Sequence, residues 1–155
     1  MPTLVRPARP DDADTLVDFN AAMAHETEHL TLDRATLSAG VRAAIADPLK
    51  ARYFVGEVDG RVAGMLMLTL EWSDWRNGEI WWIQSVYVHP DFRRLGVFKS
   101  IYRHVESLAR QQNAVGLRLY VVHENKAAQE TYRQLGMELS EYLVMENLKL
   151  RSGTM

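Results

Sequence analysis

Apolar positions along the chain recur with two periods, and the switches between them mark out helices and strands. Leu4 and Val5 precede Pro7 and Pro10, which suits a short edge strand, and Asp11 then stands as the cap of a helix, with Asp12 and Asp14 near its positive end. Leu16, Phe19 or Asn20, and Met23 repeat at helical spacing. A second helix is predicted from about Asp33, with Leu37, Val41, Ala44 and Ile45 on one face. It ends before Pro48, because proline disfavours helix in the residue preceding it. From Tyr53 the period drops to two. RYFVGEV and RVAGMLMLTLEW, joined by Asp59-Gly60, read as a hairpin, and EIWWIQSVYV reads as a fourth strand ending at His89-Pro90.

The helical period returns with Phe98, Ile101 or Tyr102, Val105, Leu108 and Ala109, which predicts a helix from about Leu95 to Gln112. VGLRLYVV alternates as a fifth strand, and a strand, helix, strand unit of this length makes a right-handed parallel crossover. Asn125 caps a last helix that Gly136 stops. MELS and YLVMENLKL supply further short strands, and RSGTM is expected to fray. The pattern holds no linker or repeat, so the expectation is one domain over residues 1–150 with a frayed tail at 151–155.

Composition narrows the function classes. A chain of 155 residues, 47% hydrophobic and 25% charged, is long enough for one layered core. No apolar run approaches the roughly 18–20 residues of a membrane helix, and the first residues lack a secretory signal, so no membrane and a cytoplasmic location are expected. A net charge of −2 offers no broad positive field, which argues against nucleic acid as a partner. The absence of cysteine excludes disulfides, thiolate metal sites and a cysteine nucleophile.

Two stretches carry candidate chemistry. HETEH, residues 25–29, matches the H-E-x-x-H zinc pattern, but Leu30-Thr31-Leu32-Asp33 follows it, and Ala35 stands where the extended pattern needs histidine. No metal is expected. VYVHPDFRRLGVFKSIY, residues 86–102, sets a strand, a basic glycine-containing turn and a helix in succession. Such a turn aims backbone N–H groups and a positive helix end at one spot, a generic anion site. Its single glycine satisfies neither known phosphate-loop pattern.

The chain resembles the GNAT superfamily of acetyl-CoA-dependent N-acetyltransferases. Val88-His89-Pro90 followed by Arg93-Arg94-Leu95-Gly96-Val97-Phe98 is similar to the family's V-x-P and R/Q-x-x-G-x-G/A signature, with Phe98 where glycine or alanine is usual. Asn125, Ala128, Tyr132, Gly136 and Met137 match its second signature. The resemblance implies an α/β fold of three layers, a central, mostly antiparallel mixed sheet of six to seven strands with about four helices on both faces, and parallel pairing of strands four and five. It implies that Val86, Tyr87 and Val88 pair with the pantetheine of acetyl-CoA, that the turn Arg93, Arg94, Leu95, Gly96, Val97, Phe98 and Lys99 holds its pyrophosphate, and that Asn125 contacts it or caps the helix.

By the same resemblance Tyr132 is the general acid. Many relatives carry a carboxylate base where this chain has Gln84 and Ser85, so Glu79, Glu28, Glu26 and Glu71 are the candidate bases. The acceptor, a small-molecule or peptide amine, is expected against Glu26, Glu28, Trp72, Trp75 and Gln84. Trp72 and Trp75, beside Asp74, Arg76 and Glu79, form either an aromatic cage for a cation or an ordinary hairpin turning at Asn77-Gly78. The rival to an enzyme is a catalytically silent acyl-CoA sensor. A homodimer is compatible with the sequence.

Overall fold

The computed structural model describes residues 2–152. Its contacts gather into two compact units, Met1–Tyr120 and Val121–Met155.

The first unit is built on a five-stranded sheet whose order follows the chain: β1 (Leu4–Pro7), β2 (Arg52–Val58), β3 (Arg61–Ser73), β4 (Gly78–Val88) and β5 (Gly116–Arg118). The first three junctions are antiparallel and β4 pairs with β5 in parallel. Asp59 and Gly60 both take positive φ, 50° and 76°, which matches the twist of the strands they join.

Helices α1 (Ala13–Glu28) and α2 (Arg34–Ala46) lie on one face of this sheet. Their Leu16, Val17, Phe19, Val41 and Ala44 pack with Tyr53, Val55, Met65 and Tyr87 in one buried cluster. Helix α3 (Val97–Gln111) covers the opposite face. There the Phe54 and His104 rings lie 5.7 Å apart, and a Cβ on Gly56 would come within 3.2 Å of Ile101. Asp33 caps α2, its carboxylate accepting from Thr36 N at 3.0 Å.

The expected cap of α1 is corrected. A single 3-10 turn, Pro10–Asp12, precedes the helix and takes in the expected cap Asp11, so the residue before α1 is Asp12, whose side chain accepts no hydrogen bond from the helix. Its carboxylate accepts from the Arg9 amide at 2.6 Å and from Arg6 at 2.7 and 3.0 Å. Arg6 also reaches Glu57, so β1, β2 and the start of α1 are tied by one guanidinium.

The second unit holds α4 (Lys126–Gln134), capped by Asn125, whose side chain accepts from Ala128 N at 3.1 Å. Gln129, buried, donates to the His123 carbonyl at 2.9 Å. Gly136 follows with φ 101°.

The mixed fold stands as expected, but with five strands rather than six to seven. Alternation describes which side chains could share a face; a strand also needs a neighbour for its backbone. Only Gly116–Arg118 of VGLRLYVV finds one, because β5 pairs with β4 no further than Arg118. MELS and YLVMENLKL form no strand among the described residues. Leu143 and Met145 there are 92% and 95% exposed. Of the expected tail, Arg151 and Ser152 are exposed and 153–155 lie outside the described residues.

Candidate active site

The site begins with an irregularity in β4. Gln84 and Tyr87 oppose Met67 and Met65, so β4 carries one more residue than β3 between the two pairs. Ser85, with φ 46°, takes up the extra residue as a bulge. Side chains alternate along a strand, so without the bulge Gln84 and Tyr87 would face opposite ways. With it, both face α1. On the other edge, β4 and β5 pair only from Ile80↔Gly116 to Trp82↔Arg118. Along residues 83–88, no described strand lies on that side of β4.

This edge runs directly into the anion turn. After His89 a 3-10 turn, Pro90–Phe92, leads to Arg93, then to Arg94 and Gly96, both left-handed at φ 66° and 77°. Gly96 is the residue before α3, and no side chain caps the helix. The first amides of α3 therefore have no partner inside the helix and point forward from its positive end. Val97 is buried, and Gly64 lets it approach: a Cβ on Gly64 would lie 3.0 Å from Val97 Cγ1 and 3.0 Å from the Tyr87 carbonyl. Arg94, Leu95 and Lys99 are exposed, while the Phe98 ring leans on Tyr102, centroids 6.1 Å apart.

Arg93 points elsewhere. Its Nη2 donates to Glu26 at 2.9 Å, its Nε donates to the Val88 carbonyl at 3.0 Å, and its guanidinium lies 5.4 Å from the Tyr87 ring. The Tyr87 hydroxyl donates to the other oxygen of Glu26. The Tyr87 hydrogen bond, then that from Arg93, holds the Glu26 carboxyl below its ordinary value. Burial, then the Glu26 carboxylate, pushes the Tyr87 phenol up to about 12. Thus Glu26, Tyr87 and Arg93 come together at the end of α1.

The rest of HETEH has a different geometry from a zinc helix. His29 is the residue after α1, in the left-handed region at φ 56°, so the two histidines do not share a helical face. Glu28 is exposed on the last turn of α1.

The other expected residues are spread more widely. Gln84 donates to Thr69 Oγ1 at 2.6 Å. Glu79 pairs with Trp72 at the far end of β4, about 20 Å along the strand from Ser85 at 3.3 Å per residue. Trp72 and Trp75 are 62% and 87% exposed on an antiparallel hairpin closed by the loop Asp74–Asn77, so Gly78 is already in β4 rather than in the turn. In the second unit, Asn125 caps α4 and Tyr132 lies within it; burial pushes the Tyr132 phenol above its ordinary value.

A polar and aromatic cluster on the α1 face escaped the motif reading. Glu71 Oε1 accepts from Trp82 Nε1 at 3.1 Å and Oε2 from Arg118 at 3.0 Å, while Tyr120 lies 5.5 Å from Trp82 between centroids. The visible signal was that Glu71, Trp82 and Arg118 share a face once the register of the three strands is known.

Comparison with known proteins follows the same outline. A family model described as the acetyltransferase (GNAT) family matches residues 16–137. A crystal structure of a possible acetyltransferase from Clostridium difficile 630 is 42% identical, with a TM-score of 0.88 over 94% of this chain and 96% of that one. A predicted acetyltransferase from Clostridium acetobutylicum, solved with acetyl-CoA, shares the fold at 16% identity, with a TM-score of 0.77 over 95% and 97% of the two chains. Thialysine N-epsilon-acetyltransferase of Bos taurus is 31% identical over 84 residues, 54% of this chain and 49% of that protein. The match spans 40% to 49% of the length of the curated relatives, about half or less.

Proposed function

The chain belongs to the GNAT family of acetyltransferases, and on that premise we propose that it is an N-acetyltransferase, moving an acetyl group from acetyl-CoA to a primary amine by direct attack. One observation carries the reading: the edge of β4 along residues 83–88 is continuous with the turn 93–96 and the N-terminus of α3, which no side chain caps. An extended chain of amides ending in a pyrophosphate has that same order of demands, strand-like pairing first and anion binding second. Likeness of fold to a protein solved with acetyl-CoA is in keeping with this donor.

Acetyl-CoA supplies the acyl group as a thioester. In this reading the backbone of Val86, Tyr87 and Val88 pairs with the pantetheine amides, and the amides from Arg94 to Phe98 receive the pyrophosphate. Arg94 and Lys99 add positive charge from exposed positions. Arg93 acts differently: bound to Glu26 and Val88, it fixes the turn to the end of α1.

Transfer forms the C–N bond and breaks the C–S bond, so one proton must leave the amine and one must reach the thiolate sulfur. Tyr132 is the proposed acid, because it matches the family motif and its phenol, raised by burial, stays protonated at neutral pH. Glu26 is a poor base while two donors hold its carboxylate ionised, and Glu79 lies well down the strand. We assign the amine proton to water leading to Glu28, exposed at the end of α1. The thialysine enzyme among the relatives supports an amine as acceptor. The cytoplasmic setting belongs to the proposal on the sequence alone.

A catalytically silent sensor is the second reading, favoured by Gln84, which hydrogen-bonds Thr69 where a carboxylate base is usual in relatives. Calorimetry with acetyl-CoA, joined to a thiol-release assay over a panel of amines, separates the two. Binding with amine-dependent thiol release supports the enzyme. Binding with no release for any amine supports the sensor, and no binding ends both.

A further inference from the structure

We propose that the α1 face of the sheet carries an acceptor subsite for a zwitterionic amino acid, built by Glu71, Trp82, Arg118 and Tyr120 beside Gln84 and Thr69. The inference rests on the acetyltransferase reading and deepens it by naming the class of amine.

Two faces of one sheet are available to two substrates. Helix α3, whose N-terminus would hold the donor's phosphates, covers the face of Phe54 and Gly56. A donor entering from there leaves the α1 face for the acceptor. β4 and β5 part just beyond the Trp82↔Arg118 pair. The cluster sits on the α1 face at this point, because Trp82 and Gln84 point the same way as Tyr87.

The cluster is fixed by its own contacts. Each oxygen of Glu71 has a donor, Trp82 Nε1 at 3.1 Å and Arg118 Nη1 at 3.0 Å. The Arg118 guanidinium lies 5.8 Å from the Trp82 ring. Tyr120 stands tilted 58° to Trp82 and is 62% exposed, so an aromatic wall rises beside a paired acid and base. Gln84 and Thr69, joined at 2.6 Å, continue the polar floor toward the bulge at Ser85.

Charge decides the class of ligand. A simple amine meets Arg118 as well as Glu71 and gains little net attraction, and a simple acid has the converse difficulty. A molecule carrying both charges can set its ammonium against Glu71 and the aromatic faces and its carboxylate against the guanidinium. Planar guanidinium groups suit carboxylates in particular.

The test compares kcat/KM, read by thiol release, for free amino acids and their decarboxylated amines: lysine and cadaverine, ornithine and putrescine, histidine and histamine, tyrosine and tyramine. The expected result is at least a tenfold preference for the carboxylate-bearing member of one pair. Arg118→Gln should bring that ratio near one, slowing the amino acid and relieving its amine of the guanidinium's repulsion. Tyr120→Ala, at an exposed position, should raise acceptor KM with little change in kcat. Equal rates within every pair, or a preference that survives Arg118→Gln, overturns the subsite while leaving an acetyltransferase. If Arg118→Gln does not fold, Tyr120→Ala decides, and an unchanged acceptor KM counts against the subsite. If no amine in the panel is acetylated, calorimetry of the same pairs against CoA-saturated protein decides, and equal heats within each pair overturn it.

Discussion

Glu26 occupies the last turn of α1, where the helix dipole disfavours negative charge. The Tyr87 hydroxyl and Arg93 offset that cost, and in return Arg93 is held on β4 instead of swinging into solvent. Glu26→Gln keeps the shape and loses the charge. The expected outcome is a several-fold rise in KM for acetyl-CoA, through a looser turn, with the pH profile of kcat unmoved. The stability change should stay within about 1 kcal/mol, because Glu26 is well exposed and solvent screens the pair. A lost acidic limb in the kcat profile would instead make Glu26 the base. Tyr132→Phe removes one hydroxyl, and kcat should fall by about 10² to 10⁴ if it is the acid, with the thermal melt little changed. Arg93 was legible from sequence as a turn residue, whereas its partner was not, because Glu26 lies in a distant helix and only the fold joins them.

At the level of elements, the helices and the first four strands could be read closely because period and turn chemistry are local. Asp59-Gly60, Asp33 and Asn125 each did in the structure what their residue type favours. What escaped were features that depend on a neighbour. The expected cap Asp11 is taken up in a 3-10 turn while Asp12, the residue before the helix, is bound to Arg6, and the last alternating segments form no described strand. The docking of α3 is also a neighbour effect, set by the bare backbone of Gly64 under Val97. Gly64→Ala should destabilise by about 1–3 kcal/mol, since the added methyl presses on a backbone carbonyl and a buried valine. Denaturant midpoints measure this, and KM for acetyl-CoA should rise with it as the start of α3 shifts. An unchanged midpoint would show that the contact relaxes without strain.

For the molecule as a whole, the clearest pH responses come from carboxylates at element junctions. Burial pushes Asp12 up, but hydrogen bonds from Arg6 and the Arg9 amide outweigh it and leave the carboxyl below its ordinary 3.8. Glu26 is likewise held below 4.5. Both groups bind protons more readily unfolded than folded, so their contribution is complete above these ordinary values and disappears as pH falls through the folded ones. Tyr87, raised to about 12 from 10.0, works in the other direction: its contribution is complete below 10.0 and is lost as pH rises through 12. Urea midpoints across pH should therefore form a plateau at neutral pH with losses at both ends. A midpoint that holds steady down to pH 3 would count against the carboxylate ties, about one unit below their ordinary values. How the contacts gather into Met1–Tyr120 and Val121–Met155 was not legible, because periodicity records what each segment can bury and not which segments contact each other.

The bulge at Ser85 also bears on how this stretch tolerates change in length. Replacing Ser85 with glycine leaves the spacing intact and suits the left-handed backbone there. Deleting Ser85 removes the bulge itself: Gln84, Val86 and Tyr87 then alternate strictly, and Tyr87 stays on the side of α1, opposite Met65. Tolerance to substitution and to deletion should thus meet at one position. A family of length variants, scored for soluble yield and melting, should find a residue added between Gln84 and Tyr87 more damaging than the loss of Ser85.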